Sequence, residues 1–368
     1  MKKISFLLVA LICSISMSVA QVTVIATLSH DGKLSHYTGK DALKAAYNAA
    51  VDGDIITLSP GTFNSTGDFS KGITVRGAGI DADIETYIQG DVYFYSKDST
   101  LVTTIEGIKF SNNVKVGNDA SGEGQGKMKF VKNYFNTEVR FTKAGTYSSV
   151  SGPECYFYDD VINNFLYFDE STYPCAVFSN CFVTVPYSNL KTTTTTTFVN
   201  CIINYVIGSF YRDVEIIYSN YLTYLNCIFY WRISQSANCR LPSTATAINC
   251  LANVWNIYKG GSTSYVWILD DLPAGSSIHN WYNHDTDLSK LFKTYRGGQW
   301  TKGETFELTD SIAALYLGTD GTQVGMQGGA YPYTSVVSYP VITTFNAASA
   351  TTKEGILKVE AIVDENKK

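Results

Sequence analysis

The chain has 368 residues, of which 45% are hydrophobic, 14% aromatic and only 17% charged, with a formal net charge of -5. No basic stripe accompanies that charge, which excludes nucleic acid as the expected partner. Twenty-six Tyr and 19 Phe against eight Pro favour pleated β-structure.

Lys2 and Lys3 precede an apolar run from Ile4 to Ile15, and Ser18, Val19 and Ala20 form a small-residue cleavage site. Residues 1–20 therefore read as a signal peptide, with the mature domain at 21–368. A protein that is secreted, periplasmic or on the outer cell surface is expected, with no transmembrane segment in the mature chain, because no later stretch has the roughly 20 apolar residues of a span.

Residues 21–52 read as an N-terminal strand and a cap helix. Val22 to Leu28 alternates like a strand, and His30 to Tyr37 is polar and turn-rich. Thr38, with Asp41 three residues later, predicts a helix over 41–51 whose Leu43, Ala46, Tyr47, Ala50 and Val51 form one apolar stripe. Such a helix would cover the open end of a repeating core.

Residues 53–254 read as coils. The phrases FSNCF (178–182), FVNCI (198–202), YLNCI (224–228) and AINCL (247–251) place Asn180, Asn200, Asn226 and Asn249 each before a Cys, and Asn112, Asn133 and Asn164 mark looser copies. Repeats of this length signal a β-solenoid. Asn tolerates the left-handed backbone region and suits a corner that recurs every coil. Cys181, Cys201, Cys227 and Cys250 then share one inward position as small buried hydrophobes, although neighbouring-strand spacing also permits a disulfide. Seven cysteines remain after residue 20, so at least one thiol is unpaired.

Two further features resist assignment. The six threonines at 192–197 favour an extended strand. Residues 255–368 read as a closing region, and within it Trp255, Trp267, Asp270, Asp271, Trp281 and Tyr282 fall in one aromatic and acidic segment. Aromatic faces stack on sugars while carboxylates bond hydroxyls, making these six the candidate carbohydrate-binding residues. The simpler alternative is that the segment folds back over the last coil.

The run ALKAAYNAAVDGDIITLSPGTF followed by ITVRGAGI resembles the N-terminal cap and first coil of right-handed parallel β-helix proteins of the pectin-lyase-like superfamily, and LGTDGTQVGMQGGAYPY is similar to the end of secreted β-helix proteins from Gram-negative bacteria. The resemblance implies an all-β solenoid: a single-stranded right-handed parallel β-helix with an N-terminal capping α-helix, forming one domain. It implies no single reaction, because the superfamily includes lyases, hydrolases, esterases and adhesins.

A calcium-dependent lyase of that family gathers carboxylates around the ion. None occurs between Ser171 and Arg212 or between Ile216 and Leu269, so the carboxylate distribution does not support calcium, and no metal or other cofactor is expected. The catalytic candidates are Asp159 and Asp160, which resemble the paired aspartates of polygalacturonase-like hydrolases, and Asp213 and Glu215. The latter two lie two apart on a predicted strand, about 7 Å from each other, within the roughly 6.5–9.5 Å that an inverting glycosidase needs. Arg240 opens RLPST, a fragment of a pectate-lyase phrase that lacks its final Arg. The expected function is a monomeric exported protein that interacts with a polysaccharide or cell-surface glycan. A polysaccharide lyase or glycoside hydrolase is the first alternative, and an adhesin or structural surface protein the second.

Overall fold

The computed structural model describes residues 23–339, 341–347 and 359–364, apart from 97, 99, 118–126, 143–153, 169–174, 185, 189–195, 207–213, 216–221, 233–238, 243–245, 253–256, 262–263, 268–276, 281–287, 295 and 297–298. Its body is a right-handed parallel β-solenoid. Each coil lays one strand on each of three sheets before the chain turns into the next coil, which gives an 11-stranded sheet A, a 10-stranded sheet B and a 6-stranded sheet C, with a 4-stranded ladder taking the third position in the later coils.

The N-terminal end departs from the sequence reading in two places. Lys33–Thr38 is a strand, paired antiparallel to Ile25–His30 through Asp31 and Gly32, both at positive φ. An Asp-Gly pair satisfies the hairpin turn that matches strand twist. Thr38 ends that strand, so helix α1 begins later, at Ala42–Ala49, with Asp41 as its N-cap residue. Asp41 accepts a hydrogen bond from Asn64 Nδ2 at 2.8 Å rather than capping the helix through its side chain. Most of the expected apolar stripe holds: Leu43, Ala46, Tyr47 and Ala50 are buried, joined by Ala42, and Tyr47 meets Phe69 edge-on at 5.1 Å, but the helix stops at Ala49 and Val51, expected on the stripe, is exposed.

Stacking of like residues builds the core. Phe130, Phe157, Phe178, Phe198 and Tyr224 occupy one inward column of sheet A, with successive ring centroids 4.7, 4.5, 4.8 and 5.1 Å apart. These distances match the spacing of hydrogen-bonded strands, so the ladder that pairs the backbones also brings the rings into offset contact.

The corner between sheets A and B is the repeated feature. Gly107, Lys132, Asp159, Asn180, Asn200, Asn226 and Asn249 all adopt positive φ there, successively 25, 27, 21, 20, 26 and 23 residues apart. The four Asn-Cys corners are as the sequence predicts; the three looser marks are not. Asn112 and Asn164 lie between the sheet B and sheet C strands of their coils, and Asn133 sits one residue beyond the corner, fully buried. Gly, Lys and Asp stand where asparagine was expected, and with them the coil lengths become more even. The residue after the corner points inward, and Cys181, Cys201, Cys227 and Cys250 are all buried free thiols.

The later strands of sheet B carry an apolar column on each face. Its outward column includes Val161, Phe182, Ile202, Ile228 and Leu251, all buried beneath a second core formed by residues 291–333, among them Phe292, Trp300, Phe306 and Met326. Helix α2, Asp310–Leu315, belongs to this cover. Stacking also continues past residue 254, since Ile257–Gly261 and Ile278–Asn280 add strands to the third-position ladder and to sheet B. A two-stranded hairpin, Val341–Ala347 with Val359–Asp364, follows. Among the described residues, no helix is long and apolar enough to cross a membrane.

Candidate functional site

The catalytic candidates Asp159 and Asp160 belong to the corner. Asp160 takes the inward position that cysteine fills in later coils and is fully buried. Its Oδ1 accepts hydrogen bonds from the backbone N–H and the side-chain Nδ2 of Asn133, at 2.7 and 3.0 Å, and its Oδ2 accepts one from the Tyr158 N–H at 3.1 Å. Asn133 in turn accepts the Ile108 N–H, at 3.1 Å, so one polar ladder joins three coils. Burial pushes the Asp160 carboxyl well above the usual range. Burial also pushes Asp159 up to about 7, against the Lys132 ammonium and the Thr334 N–H, which both favour its charged form. Asp160 is closed off from solvent and Asp159 is partly buried.

The outer face of sheet C has a different character. Register places Asp68, Tyr93, Lys115, Arg140, Tyr167 and Tyr187 in one row across successive coils. Each of the first five stands next to an inward apolar residue, so the pleat directs the row outward. Lys115 Nζ lies 5.0 Å from the Tyr93 ring centroid, and the Arg140 guanidinium lies 4.7 Å from that of Tyr167. Glu138 accepts hydrogen bonds from Arg140 Nε and Nη2, at 3.0 and 3.2 Å. Phe165 stands beside Tyr167, with ring centroids 5.6 Å apart, and is 37% exposed. The result is a partly exposed strip in which two cations are flanked by aromatic rings, one step per coil.

The third-position ladder of the later coils repeats this composition. Glu215, Arg240, Tyr258 and Trp267 occupy one register row. Two residues singled out from the sequence, Glu215 and Trp267, are therefore on one ladder, joined by Arg240 of the RLPST fragment. Asp213, Trp255, Asp270, Asp271, Trp281 and Tyr282 lie outside the described residues. Trp300, further along the closing region, is part of the sheet B cover and donates from Nε1 to the Tyr333 hydroxyl at 3.0 Å.

Sequence reasoning missed the sheet C row, although a signal for it exists. The triplets Val92-Tyr93-Phe94, Val114-Lys115-Val116, Val139-Arg140-Phe141 and Leu166-Tyr167-Phe168 share apolar flanks around one polar or aromatic centre. The constant part of each triplet is its flanks, so the variable centre hides the repeat.

Among the described residues, no group of three or more His, Cys, Asp and Glu side chains is placed to hold a metal ion. No protein-family profile, curated protein or solved structure matches the chain.

Proposed function

We propose that this is an exported glycan-binding β-helix protein whose binding face is the outer surface of sheet C. The observation that carries the reading is the row Tyr93, Lys115, Arg140 and Tyr167. Its step is one strand spacing, about 4.8 Å, comparable with the rise of one sugar along an extended glycan. Rings so spaced can stack on successive sugars while Lys115 and Arg140 meet carboxylates or hydroxyls. Signal-like residues 1–20 support export, and the parallel coils with left-handed Asn corners support kinship with the pectin-lyase-like superfamily.

Affinity electrophoresis of the chain from residue 21 onward, in gels containing neutral or acidic polysaccharides, tests this. Retardation in at least one acidic polysaccharide, weakening as salt rises, is the expected result. Equal mobility in every gel, with the protein folded, would remove the reading.

A polysaccharide-cleaving enzyme is a second reading, favoured by the register of Glu215 beside Arg240 on adjacent strands. Release of reducing ends or unsaturated products, abolished by Glu215→Gln, would support it.

A further inference from the structure

The segment from Leu317 to Tyr339 forms a strap that runs back along the corner between sheets A and B, from late coils to early ones. Over the late coils it bonds the corner: Thr319 N–H donates to Asn226 Oδ1 at 3.0 Å, and Asn180 Nδ2 donates to the carbonyls of Met326 and Gly328, both at 2.8 Å. It reaches the outer face of sheet A in the early coils, where Ser338 Oγ donates to Glu106 Oε1 at 2.6 Å. The outer face of the later sheet A strands lies beside the strap, not beneath its bonds.

Three of those strands, Thr196–Val199, Leu222–Leu225 and Thr246–Ile248, build an array of two columns. Register aligns Thr197, Thr223 and Thr246 in one column and Val199, Leu225 and Ile248 in the next. All six alternate with buried residues, are themselves half-buried and belong to neither core cluster. Among the described residues, no hydrogen bond engages the three threonine hydroxyls. One coil earlier Val177 and Ser179 hold the same columns, still without charge, whereas Lys129, Arg76 and Glu106 stand in them nearer the N-terminal end. The run of six threonines thus feeds the array at its end, with Thr196 turned inward and buried and Thr197 turned outward.

The composition of the array selects its partner. It carries no ring to stack on a sugar, none of the Trp, Tyr and Arg anchors that dominate protein interfaces, and no cation for a phosphate backbone. It offers methyl and hydroxyl groups that repeat about every 4.8 Å between strands and roughly every 7 Å along a strand. A soluble ligand calls for varied groups, whereas a solid that repeats calls for a face that repeats. We propose that the outer face of sheet A across these coils is an ice-binding surface. Its steps are of the same order as the repeats of water oxygens on the low-index faces of hexagonal ice. Threonine hydroxyls can bond to lattice waters while the methyl groups of both columns order the water between them. The side chains other than Leu225 are β-branched and stiff at χ1, so little entropy is lost when many weak contacts form together. The sheet C glycan reading is not needed for this inference.

Thermal hysteresis of the full chain, measured on a single ice crystal, tests the surface, together with partition of the protein into slowly growing ice. The gap between melting and growth temperatures should widen with protein concentration, the crystal should become faceted, and the protein should be enriched in the ice. Thr223→Lys places an outward charge at the centre of the array and should abolish all three effects with an unchanged melting temperature; Thr246→Lys repeats the substitution one coil on. Thr104→Lys introduces the same charge in the same column beside Lys129, outside the array, and should leave them intact. Absence of both hysteresis and enrichment, array variants as active as the wild type, or equal loss in Thr104→Lys would each overturn the proposal. So would a dimer in sedimentation velocity that Thr223→Lys dissociates, since the face would then belong to a second copy of the chain.

Discussion

The A–B corner and the outer face of sheet C are built by the same coils yet follow opposite rules. At the corner, one residue type recurs because the geometry leaves little choice: a left-handed backbone, an inward small side chain behind it and a strap in contact with the amides. On sheet C, the inward neighbours stay apolar while the outward residue changes from Asp to Tyr, Lys, Arg and Tyr again. Repetition here records what stacking demands, and variation records where stacking demands nothing. The varied face is thus the one free to recognise a ligand.

The comparison breaks most visibly in the core. Phe157→Ala removes a ring stacked 4.7 Å from Phe130 and 4.5 Å from Phe178, and should cost roughly 3–5 kcal/mol in denaturant unfolding. Asn180→Ala places a poor left-handed former at the corner and removes one donor from each of two strap carbonyls, those of Met326 and Gly328, for a loss of roughly 2–4 kcal/mol. Asn180→Gly sharpens the point, since it keeps the left-handed backbone and loses only the bonds of the side chain, the one it accepts from Ser179 Oγ included, so its cost should be the smaller of the two. On sheet C, Arg140→Ala should lower glycan affinity by about tenfold, near 1.4 kcal/mol, while unfolding shifts by less than about 0.5 kcal/mol. The smallest effect concerns the thiol column: with Cys181, Cys201, Cys227 and Cys250 unpaired, adding a reductant should leave the melting temperature unchanged.

The same contrast explains what the sequence made legible. Four corners were readable because Asn-Cys is a two-residue signature of one backbone conformation and one inward position. Gly107, Lys132 and Asp159 fill the same corner with other chemistry, and the nearby Asn112, Asn133 and Asn164 mimic the mark without occupying it. The hairpin strand Lys33–Thr38 was hidden because, with its outer edge exposed, it needs no apolar face. Sheet B's outward residues looked like ordinary core, and only the fold reveals that a separate cover buries them. On sheet C, the proposed binding residues and the repetition fall on different residues of each triplet, so the pattern that betrays the strand conceals the proposed site. Asp159 and Asp160, an adjacent pair of acids that resembles a catalytic motif, occupy the corner and the position that cysteine fills in later coils.

The most direct test measures glycan binding and thermal unfolding together for Arg140→Ala and Asn180→Ala. The account predicts a crossing: Arg140→Ala melts like the wild type but binds the polysaccharide about tenfold more weakly, whereas Asn180→Ala melts earlier yet binds normally below its transition. An Arg140→Ala variant that binds the glycan as the wild type does would contradict it.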